Sequence, residues 1–167
     1  MVIKEVKEKN SFNINKNNVS EKEQVLELAR KDIIAFGQLF MPEDFMKSTP
    51  APYHYELSDL LLDDTKKRNC IILPRGHSKS TLAKAALMYH LYFNPEGKKE
   101  FIAWVAEEQS QAIDHIKYIQ NHIEMNPALN YYFGDLQGSK WTEKEFTTSK
   151  GDRVIAKGTS QRLRGRS

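Results

Sequence analysis

Cysteine is nearly absent. Cys70 is the sole one in 167 residues, which excludes an internal disulfide framework and a cysteine-based zinc site and makes a reducing compartment the expectation. No apolar run approaches the ~20 residues that a membrane-spanning helix requires. The opening residues, MVIKEVKEKN, carry Lys and Glu where a signal peptide needs an apolar stretch, so secretion is not expected. Charge of one sign is also missing. Lys and Arg number 25 against 22 Asp and Glu, a net of +3, too mild for a polybasic partner of nucleic acid. No internal repeat occurs. What remains is a hydrophobic share of 40%, enough for the core of one ordinary domain or a piece of a larger one.

Residues 1–19 mix Lys, Asn and Glu with few apolar side chains and read as a flexible tail. Ser20 followed by Glu23 is a capping-box pattern, and Val25, Leu28, Ala29, Ile33, Phe36 and Phe40 continue at helical spacing until Pro42. A shorter helix is expected over 53–62. Then comes Cys70-Ile71-Ile72-Leu73, an apolar run of strand length, followed by the polar Pro74-Arg75-Gly76-His77-Ser78-Lys79-Ser80-Thr81 and by a helix ending at Asn94-Pro95. A second strand over 101–105 leads into a helix closed by Asn126-Pro127. This βαβα order predicts an α/β fold with a parallel sheet and crossover helices. Beyond Gly138, two short strands around Ser149-Lys150-Gly151-Asp152 read as a hairpin.

The loop between the first strand and its helix is where chemistry is expected. The first turn of a helix presents unpaired N–H groups and the positive end of its dipole, so it attracts anions. A lysine followed by a hydroxyl residue suits a nucleotide. Lys79 would reach the terminal phosphates, the Ser80 hydroxyl would ligate Mg2+, and the amides of Gly76, His77, Ser78, Lys79, Ser80 and Thr81 would wrap the nucleotide's phosphate chain. The match to G-x-x-x-x-G-K-[ST] is imperfect, because the two glycine positions hold Leu73 and Ser78. The bland alternative is a capped helix start with an exposed lysine.

The surroundings add to the loop. Arg75 lies four residues before Lys79, Tyr53-His54 lies upstream, and Arg164-Gly165-Arg166-Ser167 lies downstream. Together with Trp104-Val105-Ala106 and Ser110-Gln111-Ala112, these resemble the ATPase domain of the large terminase subunit of tailed bacteriophages, over roughly residues 25–167. The resemblance implies a P-loop NTPase fold of the ASCE type with an N-terminal helical segment, entered at residue 20 and cut before its acidic (Walker B) strand. The nuclease domain is then absent. It implies Arg75 and Lys79 as catalytic cations, Tyr53 and His54 as adenine contacts, and Arg164 and Gly165 as a nucleotide-sensing or structural pair. It implies a motor that couples ATP hydrolysis to translocation of double-stranded viral DNA into a capsid. Its partners would be a portal protein, a small terminase subunit and copies of itself in a ring, in the host cytoplasm and away from membrane. In that family later strands lie between the loop-bearing strand and the next, so the strands at 70–73 and 101–105 are expected to expose unpaired edges. The 167 residues alone are expected to be poorly stable and catalytically silent.

Other readings stand beside these. His54 is either a base contact or a local cap. His77 exposes its ring or, less in keeping with its place, moves a proton. Arg75 is either a phosphate-facing cation or half of a surface salt bridge. Arg162, Arg164 and Arg166 either face DNA or form a solvated end. Tyr131, Tyr132 and Phe133 either stack bases or pack under the sheet, and Glu107-Glu108 offers an acidic pair after the second strand. For the whole chain the alternatives are another DNA-dependent, helicase-like ATPase, or a non-catalytic interaction module.

Overall fold

The computed structural model describes residues 20–66, 68–95 and 97–160. Ser20 opens helix α1 (Glu21–Arg30) with the capping box read from the sequence: its hydroxyl accepts from the Glu23 N–H, and the Glu23 carboxylate accepts from the Ser20 N–H at 2.7 Å. The helix does not run on to Pro42. Asp32 interrupts it and caps a second helix, α2 (Ile33–Phe40), by accepting from the Ala35 N–H at 2.7 Å. The break turns α2 so that Ile33, Ile34, Phe36 and Phe40 are all buried, whereas Leu28 on α1 is half exposed. An aspartate ahead of four apolar residues is itself an N-cap signal; the apolar periodicity across it concealed the break.

Pro42 occupies the first turn of α3 (Pro42–Phe45), and Pro52 does the same for α4 (Pro52–Leu62). Proline fits there because the first N–H groups of a helix have no internal acceptor. The Ser58 hydroxyl of α4 is buried and accepts from the Ile33 N–H at 2.9 Å, which locks α4 against the start of α2. Helix α5 (Lys79–Phe93) buries Leu82, Ala85, Met88 and Leu91, and α6 (Gln109–Met125) buries Ala112, Ile116, Ile119 and Ile123. Each large apolar side chain enclosed in this way contributes about 1.5–3 kcal/mol.

The sheet has four strands in the order β1-β4-β3-β2. Strands β1 (Phe101–Ala106) and β4 (Arg153–Gly158) are parallel, with Ile102 opposite Val154 and Trp104 opposite Ala156. The expected hairpin is present as β3 (Glu145–Thr148) antiparallel to β4, and a further strand, β2 (Gln137–Thr142), extends it. The described residues therefore form a mixed α/β fold with one parallel pair, closed by the passage through α6. Before β2 comes α7 (Pro127–Phe133), where the sequence reading had only a helix end. Asn126 finishes α6 and also caps α7, its side-chain oxygen accepting from the Ala128 and Leu129 N–H groups.

Residues 70–73 differ most from expectation. They form no helix and join no strand among the described residues. Cys70 is exposed and Ile72 is 88% exposed. The edge of β1 away from β4 is likewise unpaired among the described residues. The physical reason is the register of the sheet: β4 takes the one side of β1, and no described strand reaches the other. The aromatic triplet also sits elsewhere than expected. Tyr132 and Phe133 pack among helices, with Phe133 4.7 Å from Tyr92 and 5.3 Å from Phe40 between ring centres, while Tyr131 is exposed.

The end of α5 is tied to the β3–β4 turn by a polar cluster. Asp152 is fully buried and accepts from the Asn94 side-chain amide (2.9 Å), the Glu100 N–H (3.0 Å) and the Thr148 hydroxyl (2.9 Å). The Lys150 ammonium donates to the carbonyls of Leu91, Tyr92 and Asn94, capping the last turn of α5. This cluster sets where α5 ends and β1 begins, and so fixes the helix whose other end carries the loop.

Candidate functional site

Helix α5 begins at Lys79 because Pro74, Gly76 and the polar residues around them cannot extend it upstream, and Leu82, Ala85 and Ala86 bury its inner face. Ser78, the residue before Lys79, has φ 54° and ψ 18°, and Gly76 has φ 81°. Serine in the left-handed region is strained by about 1–2 kcal/mol. Among the described residues it is the one non-glycine with positive φ. Position 78 is where the phosphate-loop pattern places its second glycine. The backbone thus adopts there a conformation suited to glycine although the side chain is serine. Gly76 meets no atom within 4 Å of where a Cβ would stand, so its role is conformational.

The N–H groups of residues 76–81 donate to no acceptor among the described residues. Lys79 is half-buried, and its ammonium turns back to donate to the carbonyls of Leu73 and Pro74, the latter at 2.8 Å. The loop is thereby closed around its own cation. Ser80 is exposed, with a hydroxyl that has no protein partner among the described residues. Arg75 is exposed and forms no ion pair among them, so the salt-bridge reading of Arg75 finds no partner.

The start of α4 stands against this loop. The Tyr53 ring lies 5.8 Å from the His77 ring and 4.0 Å from the His54 ring. His77 keeps a ring nitrogen 3.1 Å from the Arg75 carbonyl. His54 is a cap: its Nδ1 accepts from the Ala51 N–H at 2.9 Å. It also lines a small cavity of about 30 Å³ that Ser78 and Thr81 share with Asp44 of α3. The two sequence readings of His54 are compatible. A second cavity, of about 240 Å³, is walled by Leu57, Ile71, Lys79, Ser80 and Trp104.

The structure therefore gathers Tyr53, His54 and the loop from Arg75 to Thr81 in one place. Arg164 and Gly165, with the other C-terminal arginines, lie outside the described residues. Glu107 and Glu108 are exposed at the end of β1 and line neither cavity beside the loop. No group of three His, Cys, Asp or Glu side chains among the described residues could hold a metal ion. No described helix is long and apolar enough to cross a membrane. Sequence reasoning did not find Asp44, Lys84 and Tyr118. The Tyr118 hydroxyl donates to an Asp44 carboxylate oxygen, and the Lys84 ammonium sits 3.5 Å from the Tyr118 ring centre. Burial pushes the Lys84 ammonium down, and the Asp44 charge opposes that shift. Nothing in their spacing marks them, because they come from three separate helices.

No known family's sequence model matches this chain, and no curated protein is similar to it.

Proposed function

We propose that this chain belongs to the ATPase domain of a viral DNA-packaging motor, a large terminase subunit, and that ATP binds at residues 75–81. The observation that carries this reading is the left-handed backbone of Ser78 immediately before Lys79, with six amides around it that find no acceptor among the described residues. A bent run of free N–H groups makes an anion-binding concavity, and the helix dipole behind it adds to the attraction.

The residues fit a triphosphate. Lys79 exchanges the carbonyls of Leu73 and Pro74 for phosphate oxygens, and Arg75 offsets charge that develops on the transferred phosphoryl group. Tyr53 and His54 lie where a base attached to that triphosphate would meet protein. They also fit Mg2+ in part: Ser80 offers one hydroxyl oxygen, and magnesium in such sites takes most of its ligands from phosphate and water. When bound, the ion neutralises phosphate charge. The edge of β1 and residues 70–73, which pair with no strand among the described residues, support an ATPase sheet with a further strand between them, the place the terminase resemblance gives to an acidic strand. In this reading hydrolysis drives double-stranded DNA through a portal ring, with a small terminase subunit and copies of the chain as partners.

A calorimetric titration of ATP into the chain tests the site. Lys79→Ala and Arg75→Ala are each expected to weaken binding by about tenfold or more, the loss of one charge-assisted contact, with circular dichroism unchanged. Equal affinity in all three proteins contradicts the assignment.

A further inference from the structure

A cavity of about 610 Å³ is lined by the end of α2, by α3 and by the junction of α6 with α7. That volume lies within the ~300–1,000 Å³ of sites that enclose ligands or anchoring side chains. Hydrogen bonds fix its walls before anything binds. The Tyr118 hydroxyl on α6 donates to Asp44 on α3. The Asn126 amide donates to the Phe40 carbonyl at 2.6 Å and lies 3.3 Å from His122 Nδ1, while the Asn126 oxygen caps α7. The walls therefore need little ordering on binding, and that saves affinity.

The lining combines exposed apolar surface with negative charge. Met125 is 77% exposed and stands in the lining with Leu39 and Pro127. Glu43 and Asp44 set two carboxylates against one ammonium, Lys47. None of these three forms an ion pair among the described residues. Lys84 sits over the Tyr118 ring and offsets part of the Asp44 charge, but it is not in the lining. Glu43 is exposed. Burial lowers the basicity of the His122 ring in the wall, and both carboxylates pull against that shift. In a chain of net charge +3, this is a local excess of acid.

We infer that this cavity is a docking surface for a peptide segment of a partner protein that carries an arginine beside apolar side chains. The guanidinium meets Glu43 and Asp44 and lies against the Tyr118 and His122 rings, whose centres are 4.6 Å apart. A planar, weakly hydrated cation suits carboxylates beside aromatic rings. The apolar neighbours pack on Met125, Leu39 and Pro127, where the flexible thioether adapts to their shape. An acidic segment would set like charge against like. A free cation would leave Met125 in water, which favours a peptide as the occupant.

Proton–nitrogen NMR titration of the chain tests this with capped peptides. The probes are Gly-Leu-Arg-Leu-Gly, Gly-Leu-Glu-Leu-Gly, Gly-Ser-Arg-Ser-Gly and the single residue N-acetylarginine amide. The first is expected to shift amides within 39–47 and 118–128 and to bind about fivefold or more tightly than each of the others. Glu43→Lys, at an exposed position without an ion pair among the described residues, should reverse the preference toward the glutamate peptide, a gain that misfolding cannot mimic. Met125→Ser should bring Gly-Leu-Arg-Leu-Gly and Gly-Ser-Arg-Ser-Gly closer in affinity. No shift at these amides, equal binding of the arginine and glutamate peptides, or an unreversed preference in folded Glu43→Lys overturns the proposal. So does N-acetylarginine amide binding as tightly as the peptide, which means a small-cation site. Shifts at these amides on concentrating the chain alone mean that a second copy fills the cavity, and overturn it as well. No nucleotide takes part, so the outcome is independent of the phosphate site.

Discussion

Replacing Asp152 by alanine removes one acceptor and strands three donors. The carboxylate is fully buried and takes hydrogen bonds from Asn94, from the Glu100 N–H and from Thr148, at 2.9–3.0 Å. Asn94 and Thr148 are themselves buried. Each donor left without an acceptor costs about 1–3 kcal/mol. The three share one site and do not add fully, so a combined loss of about 3–5 kcal/mol is expected, a large part of the ~5–15 kcal/mol that holds a domain together. For a chain of this length that lowers Tm by roughly 6–20 °C. Thermal unfolding followed by circular dichroism measures it. Asp152→Asn keeps one acceptor oxygen and should fall between wild type and Asp152→Ala. A Tm within about 2 °C of wild type for Asp152→Ala would refute the view that this carboxylate fixes the end of α5 to the start of β1.

Ser78→Gly relieves left-handed strain at the cost of glycine's greater freedom in the unfolded chain, so it should leave stability unchanged or raise it by up to about 1 kcal/mol. A clear loss would show that the serine side chain holds the loop. His122 accepts from the Asn126 amide through Nδ1 at 3.3 Å. Burial and, to a smaller extent, Lys84 lower its basicity, against the pull of Asp44 and Glu43. A base whose folded value lies below the unfolded ~6.5 adds stability above that pH and loses it as pH falls through the folded value. His115 shifts the same way, by burial and by Lys84. Tm should therefore fall as pH drops from 7 toward 5, and His122→Gln should flatten part of that slope. A Tm that rises over this interval contradicts the assignment.

The elements legible in the sequence are those whose signals are local. The capping box at Ser20, the helix expected over 53–62, the helix that follows the polar loop, and the hairpin around residues 149–152 all follow from residues within a few positions of one another, although the helix after the loop starts at Lys79, earlier than the loop's polar run suggested. The loop itself was legible through Lys79 and its hydroxyl neighbour, although no second glycine marks it. The structure supplies what that pattern could not, a serine held at positive φ. Errors came where two signals competed. Helical periodicity ran straight through Asp32, and Asn126-Pro127 read as a stop although Asn followed by Pro is equally a helix start. Cys70-Ile71-Ile72-Leu73 reads as a buried strand because it is apolar and short. Burial requires a neighbour, and none of the described strands lies beside it. Asp44 was invisible because its partners, Tyr118 and Lys84, arrive from distant helices.

Hydrogen exchange at the amides of residues 76–81 tests the central claim most directly. These N–H groups have no acceptor among the described residues and should exchange rapidly in the free chain. Saturating ATP is predicted to slow exchange at several of them at once, with the change largest around Ser78, Lys79 and Ser80. Unaltered exchange across 76–81 in the presence of bound ATP would contradict the account, because the phosphates would then lie elsewhere.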